Sequence, residues 1–259
     1  MTAAQAFWRS AGVFAAAGCC VATPALATVA STTDVEVSRV TLALPGADWK
    51  VSEPLPYGVA VRDTVLTVGG QSRLFVAGPS GTRDEIVMLV SATRGQRNVT
   101  LHDDCDPAQG VYVRKFNRGQ STTIPLQCLN VQGPVRLPAD LKVVHEGLAA
   151  ALGAQQVVPP PTGYVMSLTV CNDNGAIVEI VALMGSHFAG LDAAPAGANV
   201  PARMPGGVAA WADKLSEAAL GTLSSWSGRM DVPPVVFRTP PSPPVASSSA
   251  PASSVTIKD

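Results

Sequence analysis

Ser186 and His187 are adjacent, Cys171 is followed by Asn172 and Asp173, and His102-Asp103-Asp104-Cys105-Asp106 forms one polar run. These residue types raise two chemistries, attack by a nucleophile and metal binding. Neighbouring residues of an extended chain point to opposite sides, so Ser186 and His187 form a triad only if the fold brings partners to them. A reactive cysteine works as its thiolate, and no basic residue stands beside Cys171 to favour that form, which predicts a structural thiol. A zinc centre needs about four ligands in tetrahedral array. No second CxxC or HxxxH accompanies the run at 102–106, so no metal site is expected.

The remaining motif fragments fail on spacing. Gly78-Pro79-Ser80-Gly81 is one residue short of the Gly-x-Ser-x-Gly elbow and lies between two β-rich stretches rather than before a helix. Val144-His145-Glu146-Gly147 opens like a zinc-protease helix, but the position of its second histidine holds Ala149. Gly69-Gly70 stands alone and makes no phosphate-binding loop. The expectation is a non-catalytic protein without a cofactor. The alternative is a hydrolase that uses Ser186 or Cys171 with His187.

The first 27 residues say where that chemistry takes place. Arg9 gives a basic start, Ala11 to Val21 an apolar run, and Ala25-Leu26-Ala27 the small residues that a signal peptidase reads, placing the new amino terminus at Thr28. The run is well short of the roughly 20 residues needed to span a bilayer, and no later run reaches that length. A periplasmic or secreted protein is expected. Ala16-Ala17-Gly18-Cys19 offers the alternative of a lipoprotein anchored to the outer membrane at Cys19, although it lacks the large aliphatic residue three places before the cysteine.

Removing the signal takes Arg9 alone, leaving 17 basic against 19 acidic groups. The arginines between Arg62 and Arg118 alternate with acids, which describes a solvated face and not a nucleic-acid footprint. Cys105, Cys128 and Cys171 remain in a compartment where disulfides persist. Cys105 and Cys128 border one expected hairpin and are the expected pair, in which a bridge contributes roughly 3 kcal/mol through the unfolded chain. Cys171 is left free.

Alternating apolar residues predict strands over 35–44, 58–68, 72–77 and 85–93, the last two joined by turn chemistry at Gly78 to Gly81. A hairpin is expected from Val111–Phe116 to Ser121–Leu129, and another from Tyr164–Cys171 to Ala176–Met184 across Asn172-Asp173-Asn174-Gly175. The Asp/Asn cluster there lacks the ligand spacing of a calcium loop. Asp140 is placed to cap a helix whose Leu141, Val144, His145, Leu148 and Leu152 share one apolar face ending at Gly153. A second helix from Val208 to Ser227 presents Trp211, Leu215, Ala219, Leu223 and Trp226 as one stripe. Residues 185–207, rich in Gly, Ala and Pro, read as a long loop, and 238–259 as a disordered Pro/Ser/Ala tail. The organisation is therefore a signal over 1–27, a single domain over 28–237 and the tail. The fold class is α+β, mainly antiparallel sheet with two principal helices packed on it.

Val40-Thr41-Leu42-Ala43-Leu44-Pro45-Gly46-Ala47-Asp48-Trp49, the block from Cys105 to Cys128 and the closing segment Trp211 to Phe237 resemble a group of exported proteobacterial proteins of uncharacterised function. The same layout is similar to PsbP-like α/β/α sandwiches, where an aliphatic strand runs through a Leu-Pro-x-x-Trp-type turn and a final helix packs on an antiparallel sheet. The resemblance implies a binding or envelope-assembly role toward an envelope protein or small ligand. It assigns no catalytic residue.

Overall fold

The computed structural model describes residues 27–29, 34–46, 49–60, 67–78, 86–93, 112–115, 126–137, 139–172, 176–185, 205–224 and 228–235. The expected signal before Ala27, residues 186–204 of the loop expected over 185–207, and the tail lie outside them, whereas Gly185 ends a strand and Gly206 and Gly207 open a helix.

Twelve strands and three helices are described. Nine strands form one antiparallel sheet: β1 (Ala27–Val29), β4 (Trp49–Val51), β6 (Thr67–Ala77), β7 (Ile86–Thr93), β11 (Ile177–Gly185), β10 (Thr162–Cys171), β9 (Leu126–Arg136) and β8 (Tyr112–Lys115) in that order, with β5 (Leu55–Ala60) also paired to β6. A second sheet orders β12 (Arg229–Asp231), β3 (Val40–Ala43) and β2 (Asp34–Val37). Its β12 runs parallel to β3, and its β2 antiparallel. The fold is thus α+β, as the alternation in sequence predicts.

Two expected hairpins form. β10 and β11 pair from Gly163↔Gly185 to Cys171↔Ile177, and the Asn172 side chain accepts from Ala176 N at 3.0 Å to close the turn. β6 and β7 pair from Gly70↔Thr93 to Ala77↔Ile86. β8 and β9 also pair, with β9 running on to Arg136, beyond the expected end at Leu129. The single strand expected over 35–44 is instead two, because Ser38 takes φ 57 and reverses the chain without a glycine. The stretch at 58–68 likewise divides between β5 and the start of β6.

The large sheet has a core on each face. Trp49, Phe75, Met88, Leu129, Met166 and Ile180 lie on the first face, in one cluster with Leu42 of the small sheet and Leu215 of α3 (Gly206–Ser224). Leu74, Val76, Val87, Val181 and Leu183 lie on the second, under Leu141 of α1 (Leu141–Val144) and Leu148 and Leu152 of α2 (Glu146–Ala154). Period two in the strands places successive residues in opposite cores, which is why β7 and β11 are almost wholly apolar.

α3 matches the expected stripe. Trp211, Leu215 and Ala219 are buried and Leu223 is half-buried, while Trp226 lies outside the described residues. The Trp211 indole N–H donates to Pro233 O at 3.3 Å, which fixes the chain as it leaves β12. The first expected helix is corrected. It breaks at His145, whose φ of −155° and ψ of 98° end α1 and begin α2. Asp140 makes no side-chain cap; its carboxylate accepts from Arg136 N at 3.1 Å instead.

Candidate functional site

On the second face, the residues alternating with Val181 and Leu183 continue to Glu179, a carboxylate in a strand otherwise apolar and buried. Glu179 stands opposite Ser91 of β7 and Thr169 of β10, and Ser91 stands opposite Ser72 of β6. The Ser72 hydroxyl donates to the Ser91 hydroxyl at 2.8 Å. The covering helices lay their leucines on the apolar half of this face, and His145 reaches the polar row.

Three side chains converge. The Tyr57 hydroxyl donates to Glu179 Oε2 at 2.8 Å, and His145 Nε2 lies 3.5 Å from Glu179 Oε1. The other imidazole nitrogen, Nδ1, accepts from Leu148 N at 3.1 Å and caps α2. The break at His145 is what permits this: leaving helical geometry aims the imidazole at the first turn of α2 and at β11 together. The expectation of His145 as a core residue on a helix face is therefore corrected; it is half-buried and polar on both sides.

Tyr57 belongs to β5, which is separated from β11 by β6 and β7, so the sheet must bend for the two to meet. Gly70, opposite Tyr57, allows it. A Cβ there would sit 2.1 Å from Ala92 O, so only glycine lets β6 approach β7 this closely. Of the Gly69-Gly70 pair, Gly70 has this geometric role, while a Cβ on Gly69 would meet nothing within 4 Å.

Burial pushes the Glu179 carboxyl up, but the hydrogen bonds from His145 and Tyr57 and the attraction of His145 outweigh it, holding the group below the usual carboxylate range. Burial pushes the Tyr57 hydroxyl far up, reinforced by the Glu179 charge and by the bond to it. Tyr57 is thus a fixed donor and Glu179 a fixed acceptor. In its neutral form His145, accepting at Nδ1, has its proton on Nε2. Both nitrogens are engaged, leaving no lone pair to take a proton from a nucleophile.

Of the residues singled out in sequence, Cys171 ends β10 as a buried thiol that donates to Asn172 O at 3.4 Å. This burial fits the structural reading and denies a substrate access. Cys128 is half-buried on β9 opposite Thr169 and is not among the free thiols, whereas Cys105 lies outside the described residues. Ala27 and Thr28 stand in β1, paired with Val51 and Lys50. Cys19, Ala25, the run at 102–106, Ser186 and His187 lie outside the described residues. Among the described residues no group of three or more His, Cys, Asp or Glu is placed to hold a metal, and no helix is long and apolar enough to cross a membrane.

Glu179 and Tyr57 were not singled out in sequence. The available signal was the lone acid inside Ile177-Val178-Glu179-Ile180-Val181. A charge in a strand that is apolar on both sides needs a partner. No family model matches the chain, and neither a curated protein nor a solved structure matches it.

Proposed function

We propose that this is an exported, non-catalytic binding or envelope-assembly module, released from its signal between Ala27 and Thr28 and stapled by a Cys105–Cys128 disulfide. The observation that supports the non-catalytic part is that the described histidine at the polar row, His145, is committed: Nδ1 accepts from Leu148 N, and Nε2 faces Glu179. A general base needs a free lone pair within reach of the proton it removes. The buried Cys171 thiol supports the same reading. The PsbP-like layout is supported by α3 and the small sheet on one face of the antiparallel sheet and α1 and α2 on the other.

Two measurements on the protein purified from its native envelope test the proposal. The intact mass should begin at Thr28 and gain two hydrogens on reduction; a mass beginning at Cys19 with acyl chains would replace the soluble module with an outer-membrane lipoprotein. Fluorophosphonate and iodoacetamide probes applied to the native protein should leave it unmodified. Rapid labelling of Ser186 or Cys171, abolished by His187→Ala, would establish the hydrolase instead.

A further inference from the structure

The geometry points to His145 as a proton-operated hinge between α1 and α2. Helix caps are ordinarily Ser, Thr, Asp or Asn, whose acceptor oxygens persist through the neutral pH range. Here the acceptor is Nδ1 of an imidazole, 3.1 Å from Leu148 N. A neutral imidazole offers one acceptor nitrogen, whereas an imidazolium offers none. Protonation therefore sets two N–H groups against each other and removes the side-chain cap on Leu148 N, leaving the backbone bond from Ala149 N to His145 O to hold the first turn of α2. It also places a positive charge at a helix amino terminus, where the backbone dipole opposes it.

The same proton strengthens the other side of the ring. Nε2 lies 3.5 Å from Glu179 Oε1, and an imidazolium is drawn to that carboxylate. Acid thus moves His145 from serving the helix to serving the sheet. His145 is the one residue between α1 and α2, and its extended backbone is the joint through which such a movement passes. The groups around the ring are Glu179 from β11, Tyr57 from β5 bonded to the same carboxylate, and the flanking Lys142 of α1 and Glu146 of α2, both exposed. Glu179 attracts the incoming charge and keeps it at the joint, while Tyr57 stays a neutral donor throughout.

The test is an NMR titration of the full chain from about pH 8 to about pH 5, reading the His145 ring nitrogens and amide exchange at Leu148 corrected for its intrinsic pH dependence. The expected result is an unprotonated Nδ1 at the upper end and a loss of about tenfold in Leu148 protection that follows the imidazole titration, as removal of one cap predicts. Amides of β11 such as Val181 should keep their protection. His145→Asn, which retains a capping acceptor, should hold Leu148 protection constant over the same range. Unchanged protection at Leu148 while His145 titrates overturns the proposal, as does an equal loss in the Asn variant or a loss shared by β11. The wild-type titration decides the question even if that variant does not fold.

Discussion

The two faces of the large sheet solve the same burial problem differently. The first is covered by one unbroken helix, α3, and the small sheet, and its core runs continuously from Trp49 to Ile180. The second is covered by a helix broken at His145, and its apolar half gives way to Ser72, Ser91, Glu179 and Thr169. Each face also holds a charged group, under different terms. Glu179 has a donor at each oxygen, whereas Arg73 of β6 gives Nη1 to Ser52 O at 3.0 Å while its buried Nε has no partner. A continuous apolar face tolerates one imperfect polar contact at its margin. A face with a carboxylate at its middle does not, and the covering helix is bent to serve it.

Substitutions can sharpen or break this contrast. Phe75→Ala, in the first core with no exposed surface, is expected to destabilise by roughly 3–5 kcal/mol in denaturant unfolding. A loss of less than about 1 kcal/mol would mean the first face is not the continuous core described. Gly70→Ala is expected to cost about 1–3 kcal/mol, because the new methyl meets the Ala92 carbonyl and forces β6 from β7. Tyr57 fluorescence or its hydroxyl NMR signal should report the loss of its bond to Glu179 in the same variant; an intact bond would remove the role given to Gly70.

Glu179→Gln is expected to cost about 1–3 kcal/mol at neutral pH, since the amide turns a donor toward Tyr57 or His145. Because the folded carboxyl titrates below its unfolded value, its stabilisation is complete above the unfolded value of about 4.3 and is lost as pH falls through the lower folded one. The gap between wild type and Glu179→Gln in unfolding midpoint should therefore narrow in strong acid. A gap that widens would show that the carboxylate is destabilising where it sits. Arg229→Ala, which removes exposed ion pairs to Asp34 and Asp231, should leave the thermal midpoint unchanged. A clear fall would make the edge of the small sheet more important than either face.

Much of the first face was legible because its periodicities are unbroken. Trp211, Leu215 and Ala219 recur at helical spacing, and the α3 they imply is the α3 observed. The β6–β7 and β10–β11 hairpins were legible too, whereas the stretch read as one strand over 58–68 divides between β5 and β6. The cover of the second face was not legible. Leu141, Val144, His145, Leu148 and Leu152 form a convincing helical stripe, and local spacing contains nothing that breaks the helix at His145. The reversal at Ser38 escaped for a similar reason, since a positive φ was taken by a residue other than glycine or asparagine.

By itself the sequence determined the antiparallel sheet, its principal hairpins and the long final helix, since these follow from spacing between neighbours along the chain. Tertiary structure alone decided that Tyr57, His145 and Glu179 meet. They come from three separate elements, and the bend at Gly70 and the break at His145 have meaning only once a buried carboxylate on β11 must find its donors.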